Sequence, residues 1–314
     1  MRIVMMGTGP FAVPTLQALY ASPHELLCLF TRPARPVHGR TLSEAQPMRA
    51  LAQVHGTRVH DPLSINTPDS RCLLASYRPD VLVVCDFGQI LKPEVLEIAR
   101  DGGLNLHASL LPRYRGAAPI HWAIYHGERE TGNTVIHMSP LVDAGPAIAR
   151  VVTPIGPDET AAELEPRLAE LGAPLVLEAL AAIESGATHP IAQDPAQATR
   201  APRLTKELGR VDWSRTAREI RNQVRALQPW PKTYSFLQRT SGEPLRLILD
   251  RVQVEPESGP AEPGTVVEAG GERLVVATGA GGLRIEAVQP AGKRVLSAGE
   301  FLRGYPLRVG HRLG

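Results

Sequence analysis

Asn105 and His107 stand two residues apart in LNLHASLLPRYRGAAP (residues 104–119), and Asp143 follows in MSPLVDAGP. Side chains two apart on a strand point to the same face, so an amide and an imidazole would project together from a strand ending at His107. With a carboxylate, they form a set suited to a reaction that builds negative charge on a carbonyl oxygen. The amide and a protonated ring both donate hydrogen bonds to that oxygen, and a neighbouring carboxylate favours the protonated ring. Each residue also has an ordinary alternative. An Asn at a strand end is commonly a turn former, a lone His packs or faces water, and an Asp before Ala-Gly caps a loop. Spacing alone does not join them.

The elements that must position them follow from the hydrophobic pattern. Short apolar runs at 2–6, 26–31, 81–85, 104–107 and 134–138 read as strands. Helix-like stretches lie at 13–22, 47–55, 69–77, 93–99 and 118–126. Continuous apolar strands separated by helices predict a parallel sheet covered on both faces. Residues 1–188 are thus expected to form a doubly wound α/β domain that closes with an Ala-rich helix over 160–185. Ligands of such sheets bind beyond the carboxyl ends of the strands, near a topological switch point. The end of 104–107 is such a place. Residues 189–207 lack a period and are rich in Pro, Ala and Gln, so they read as a linker. In 208–314, a helix is expected over 213–227, with Ser214 as its cap and Pro229 as its stop. Strands at 245–254, 264–268, 273–278 and 283–288, separated by Gly and Pro turns, predict a small β-barrel.

Charge divides along the same line. Residues 1–207 carry 18 Lys+Arg against 21 Asp+Glu, whereas 208–314 carry 16 against 11, a net +5. That asymmetry suits a polyanionic partner for the second part, although an unevenly charged solvated surface would look the same. The helix over 213–227 places Arg218, Arg221 and Arg225 at spacings of three and four, on one face. Cys28, Cys72 and Cys85 show no metal or redox spacing and fit a reducing cytosol. No apolar run approaches the ~18 residues of a membrane span. MRIVMMG reads as a first strand, not a leader. A cytoplasmic protein is expected.

The opening GTGPFA (Gly7, Gly9, Ala12) fits the dinucleotide fingerprint between a strand and a helix. Pro10, however, removes an N–H that a phosphate would use. The second strand ends towards Arg32 and Arg35, with no acid for a ribose. The glycines are better explained by a tight turn and close packing.

The segment LNLHASLLPRYRGAAPI, with VDAGP downstream, resembles the formyltetrahydrofolate-dependent formyltransferases, whose shared signature is N-x-H, SLLP and a distant Asp. The opening MRIVMMGTGPFAVPTLQAL, the FGQIL loop, the GAAPI continuation, DWS…RALQPWP and VQPAGKRVLSAGEFLRG are similar to those members whose acceptor is methionyl-tRNA. The resemblance covers residues 1–314. It implies a Rossmann-like formyltransferase domain followed by an OB-like, tRNA-binding β-barrel domain over 208–314. It implies Asn105, His107 and Asp143 as the catalytic triad. Ser109, Leu110, Leu111 and Pro112 would line the folate site, and Phe87, Gly88, Gln89 and Ile90 would turn their backbone to the pterin. The reaction implied is attack by the α-amino group of methionyl-tRNA on the formyl carbon of 10-formyltetrahydrofolate, giving N-formylmethionyl-tRNA for translation initiation. A monomer working without a metal is expected; His121 and His126 are five apart rather than four.

Two departures from the family stand out. The loop after the second strand, TRPARPVHGRTLSEAQP, is usually rich in Gly, Lys and Arg and wedges into the acceptor end of the tRNA. Here it keeps Arg32, Arg35 and Arg40, lacks lysine, and is a residue shorter. Arg35 and Arg40 are nevertheless the expected tRNA contacts near the site. Pro140-Leu141-Val142 precedes Asp143, where the family has a glycine two residues before the Asp. The alternatives are a formyltransferase acting on a small amine, a hydrolase passing the formyl group to water, a non-catalytic RNA-binding protein, and an NADP oxidoreductase. The first two lack a need for the basic second part, the third for all of Asn, His and Asp.

Overall fold

The computed structural model describes residues 1–33, 46–238, 242–257 and 259–314. The expected loop contacts Arg35 and Arg40 lie outside the described residues. In chain order the first strands and helices are β1 (Arg2–Gly7), α1 (Val13–Tyr20), β2 (Glu25–Phe30), α2 (Pro47–Val54), β3 (Val59–His60), α3 (Pro68–Ser76), β4 (Val81–Cys85), α4 (Pro93–Leu96) and β5 (Gly103–His107). They continue with β6 (Arg115–Gly116), α5 (Pro119–Tyr125), β7 (Glu130–His137), β8 (Ala147–Pro154), α6 (Ala161–Glu184) and β9 (Arg200–Ala201).

Two compact units divide the chain. The first comprises residues 1–119, 130–154 and 164–202; the second comprises 120–129, 155–163 and 203–314. In the first, seven strands form one sheet in the order β3-β2-β1-β4-β5-β7-β8. The apolar strands β1 and β4 bury nearly every residue, so the sheet is covered on both faces. The order reverses between β1 and β4, the switch point at which a ligand crevice opens.

The sheet is mixed, not parallel throughout. β7 runs antiparallel to β5, pairing Thr134 with His107 and His137 with Leu104, and β8 runs antiparallel to β7. The pattern of the sequence hides this, because a strand buried on both faces has the same apolar run in either direction. Strand β8, half-exposed and ending in Pro154, has no apolar run to mark it in the sequence. The consequence is functional. The end of β7 lies beside the start of β5, so the loop over residues 138–146 must return along the sheet to bring Asp143 to His107.

The stretch 189–207 is not structureless. Ile191 and Ala147 exchange two backbone hydrogen bonds of 2.8 Å, and β9 pairs parallel with β6.

The second unit continues with α7 (Ala217–Ala226), β10 (Thr233–Leu237), β11 (Leu245–Glu255), β12 (Val266–Gly270), β13 (Arg273–Ala277), β14 (Gly282–Pro290), β15 (Leu296–Ser297) and α8 (Ala298–Gly304). Its antiparallel sheet has the order β10-β11-β14-β13-β12, with β15 beside β14. The last residues of the chain close the barrel. Leu313 N–H donates to the Gly264 carbonyl just before β12, while Gly314 N–H donates to the Phe236 carbonyl of β10. Both open edges are thus occupied. A core of Trp213, Ile220, Val224, Leu247, Leu249, Ile285 and Phe301 fills the interior. Helix α7 starts later than expected. Thr216 caps it in a box with Glu219, and Ser214 instead turns onto Asp212 Oδ1.

Candidate active site

Asn105 and His107 leave the carboxyl-terminal half of β5 and converge on one carboxylate. Asn105 Nδ2 donates to Asp143 Oδ1 at 3.3 Å, and His107 Nδ1 lies 3.6 Å from Asp143 Oδ2. The carboxylate only accepts, which fixes the amide orientation: the atom facing it is Nδ2. One N–H of Asn105 remains for a ligand. Asp143 Oδ2 also accepts the Gly116 N–H at 2.8 Å. The carboxylate is thus held from three sides. The side chains of His107 and Asp143 are only 6% and 13% exposed, so the contact is little screened.

His107 Nε2 lies 2.9 Å from the Tyr114 carbonyl. A carbonyl accepts, so Nε2 carries a proton. Nδ1 is the ring nitrogen that faces the Asp143 carboxylate. An oxygen developing negative charge beside Asn105 would meet one donor already in place, the spare amide N–H, with the His107 ring adjacent; such fixed donors are the requirement for an oxyanion site.

Asp143 holds φ at +50° and Tyr114 at +64°, both left-handed. Such residues cost roughly 1–3 kcal/mol each and persist where surrounding structure over-determines them. Tyr114 is held by its N–H to Thr199 Oγ1 (2.9 Å), and Arg115 N–H donates to the Thr199 carbonyl (2.9 Å). Gly116 has φ +126°, and a Cβ there would stand 2.5 Å from the Ala201 carbonyl oxygen. Only glycine fits beside β9.

The SLLP segment divides between two tasks. Ser109 is fully buried; its hydroxyl donates to the Arg113 carbonyl (2.7 Å), and its carbonyl accepts from Thr134 Oγ1 (2.7 Å). Leu111 is buried and its N–H meets the same Thr134 hydroxyl. These two shape the loop. Leu110 and Pro112 stay partly open.

Across the sheet order, at the switch point, the loop after β4 carries Phe87, Gly88, Gln89 and Ile90. Phe87 is buried among the core residues, and its carbonyl accepts from Thr8 Oγ1. Gln89 holds the facing loop, with Oε1 accepting the Ile65 N–H (2.8 Å) and Nε2 donating to the Pro62 carbonyl (3.2 Å). The Ile90 carbonyl accepts from Asn66 Nδ2. The N–H groups of Gly88 and Gln89 make no hydrogen bond among the described residues. Asp86, at φ +48°, opens this loop; burial and then Glu165 raise its carboxyl to about 6. Gly7 has no room for a side chain: a Cβ would lie 2.9 Å from the Cys85 carbonyl oxygen. That close packing is the reason for the opening glycines.

The three arginines of α7 do not share one environment. Arg225 is 8% exposed, and its Nη1 donates to the Gly156 (3.2 Å) and Glu159 (3.1 Å) carbonyls while Nε donates to Asn222 Oδ1 (3.1 Å). Burial lowers its affinity for a proton relative to an ordinary guanidinium. Arg221 pairs with Asp158. Arg218 is exposed and has no partner among the described residues. Helical spacing put all three on one face, but residues 155–163 cover its later part. Among the described residues no group of three His, Cys, Asp or Glu is placed to hold a metal ion.

Sequence reasoning missed the backbone groups of Tyr114 and Gly116 and the side chain of Gln193. Gln193 Nε2 donates to the Asp143 (2.8 Å) and Gly145 (2.7 Å) carbonyls, and its Oε1 accepts from Arg115 Nε (3.1 Å) and Nη2 (2.7 Å). A glutamine in a proline-rich stretch carries no signal of that.

Comparison with known proteins gives the same chemistry a family. Residues 1–180 match the formyl transferase model and residues 203–306 match the formyl transferase C-terminal domain. The methionyl-tRNA formyltransferase of Rhodopirellula baltica is 45% identical over 325 aligned residues, covering 100% of this chain and 96% of the relative. That of Geobacter sulfurreducens is 42% identical, covering 100% and 97%. Among solved structures, the sugar 3N-formyl transferase WlaRD superposes with a TM-score of 0.68 at 18% identity, over 94% of this chain and 99% of that one. An N-formyltransferase from Helicobacter canadensis gives 0.68 at 17%, over 92% and 98%. The solved structures speak for the fold. The full-length relatives speak for more, and on them the chain belongs to the methionyl-tRNA formyltransferase family.

Proposed function

We infer that this chain transfers the formyl group of 10-formyltetrahydrofolate to the α-amino group of methionyl-tRNA. The observation that carries this inference is the mutual contact of Asn105, His107 and Asp143 at the end of β5, in a chain similar to its relatives from end to end.

The residues at the switch point fit a folate. A pterin edge offers donors and acceptors in one plane, and the Gly88 and Gln89 N–H groups lack partners among the described residues. Leu110 and Pro112 are the partly open members of the SLLP segment and would flank the reacting end. The donor supplies a formyl carbon activated as an amide.

The chain's own groups then act in order. The α-amino nitrogen approaches the formyl carbon and a carbon–nitrogen bond forms. Negative charge grows on the formyl oxygen, where the spare N–H of Asn105 and the Nε2–H of His107 stabilise it. The ring reaches that oxygen by exchanging its Tyr114 carbonyl contact. Asp143 keeps the ring and the amide oriented. When the bond to the donor nitrogen breaks, that nitrogen takes up a proton and the amine gives one up, so charge balances.

For the acceptor tRNA, Arg218 is the proposed contact of α7, and Arg35 and Arg40, outside the described residues, are proposed as further contacts. Arg221 and Arg225 contribute by holding 155–163. No helix among the described residues is long and apolar enough to cross a membrane.

The test supplies formyltetrahydrofolate with methionyl-tRNA, free methionine or water. Formylation of methionyl-tRNA alone is expected. Steady release of tetrahydrofolate without an acceptor would instead support a hydrolase.

A further inference from the structure

We propose that Gln193 is a positioning residue for Asp143, and that residues 191–201 act as a strap holding both loops of the site. This rests on the function proposed above.

The geometry is fully specified. Gln193 Nε2 faces two carbonyls, those of Asp143 and Gly145. Its Oε1 faces two donors of Arg115. Carbonyls cannot donate and a guanidinium cannot accept, so the amide has one possible orientation, and all four of its bonding positions are used. The loop it grips is under constraint. Asp143 is in the left-handed region, and Gly145 packs so closely that a Cβ would overlap the His137 carbonyl oxygen. Two donors from one side chain pin the carbonyls of the residues on either side of Ala144. The Gly116 N–H pins the carboxylate from the opposite direction.

Gln193 is itself anchored. Two residues earlier, Ile191 exchanges two hydrogen bonds with Ala147, the first residue of β8. Six residues later, Thr199 takes the N–H groups of Tyr114 and Arg115, and β9 pairs with β6. One segment therefore ties the loop that carries Asp143 to the loop whose Tyr114 carbonyl meets His107. The antiparallel direction of β7 is what makes this necessary. Asp143 starts from the far end of the sheet, and nothing in β7 itself aims it.

The role is donation, which separates it from filling space. Gln193→Glu has nearly the same volume and keeps an acceptor for Arg115, but once ionised it donates to neither carbonyl. Gln193→Glu and Gln193→Ala are both expected to lower kcat, by up to about a hundredfold, the scale of a misplaced reacting group. KM for the formyl donor should change by less than about threefold, since the Gly88 and Gln89 N–H groups proposed to meet the pterin lie on another loop, after β4. In an Asp143→Asn background, Gln193→Ala should cost less than about a further twofold, because the group it positions is gone.

Purified full-length variants are assayed with formyltetrahydrofolate and methionyl-tRNA, and thermal melts check folding. Gln193→Glu that folds and retains normal kcat overturns the proposal. So does a loss in the double variant that multiplies in full. If Asp143→Asn alone keeps normal turnover, the proposed site fails instead. If Gln193→Ala does not fold, Gln193→Glu and its double variant decide.

Discussion

Replacing Arg225 by alanine separates scaffold from tRNA contact. Three acceptors meet this guanidinium, the carbonyls of Gly156 and Glu159 and Asn222 Oδ1, of which the Gly156 carbonyl also accepts the Glu159 N–H. Each buried acceptor deprived of a charged donor costs roughly 1–3 kcal/mol. Part of that is returned, because the desolvated cation leaves as well. A net loss of about 3 kcal/mol follows, equivalent to roughly 10 °C in melting temperature for a unit of this size. Arg218→Ala is the comparison, since Arg218 is exposed and unpartnered among the described residues. It should leave the melt unchanged. If Arg218 meets a phosphate, the plot of log affinity for methionyl-tRNA against log salt should lose about 0.7–0.9 in slope. Arg225→Ala, assayed well below its melting point, should keep that slope. The measurements are calorimetric melts and tRNA binding at several salt concentrations. A stable Arg225→Ala protein with a slope reduced by one phosphate would refute the assignment of Arg225 to the scaffold.

Four further outcomes are expected. Asn105→Ala and His107→Ala should each reduce turnover by about two orders of magnitude or more, as measured by single-turnover formylation, with much smaller effects on formyl-donor binding. Gly116→Ala, forced to φ +126° with its Cβ 2.5 Å from the Ala201 carbonyl oxygen, should lose about 1–3 kcal/mol in denaturant titration and most activity. Asp86 titrates near 6 in the native protein against 3.8 ordinarily, so between those pH values the folded chain holds a proton that the unfolded chain has released. The contribution of Asp86 to stability should therefore fall as pH rises through that window, and melts of Asp86→Asn recorded across it should lack that contribution. Cutting the chain at 208 should damage more than the barrel, because residues 120–129 and 155–163 belong to the same compact unit; exposed apolar surface, read by dye binding, would show it.

The sequence by itself singled out the residues of the candidate site and determined the element that presents two of them. N-x-H on a buried strand is a local pattern, and the two-residue repeat of a strand settles that both side chains emerge together. The switch-point glycines were legible for a similar reason, because a strand-to-helix turn with close packing demands them. The antiparallel barrel could be read from short strands punctuated by Gly and Pro. What tertiary structure decided is everything that depends on direction and cover. An apolar run does not state which way a strand runs, so the antiparallel β7, the return of Asp143 and the need to clamp it were invisible. Helical spacing put Arg218, Arg221 and Arg225 on one face, yet only packing by residues 155–163 withdrew Arg225 from solvent and paired Arg221 with Asp158. Gln193 has no periodicity, no neighbour in sequence that needs it and no charge. Its four hydrogen bonds reach residues 48 to 78 positions away, and such contacts exist only once the chain has folded.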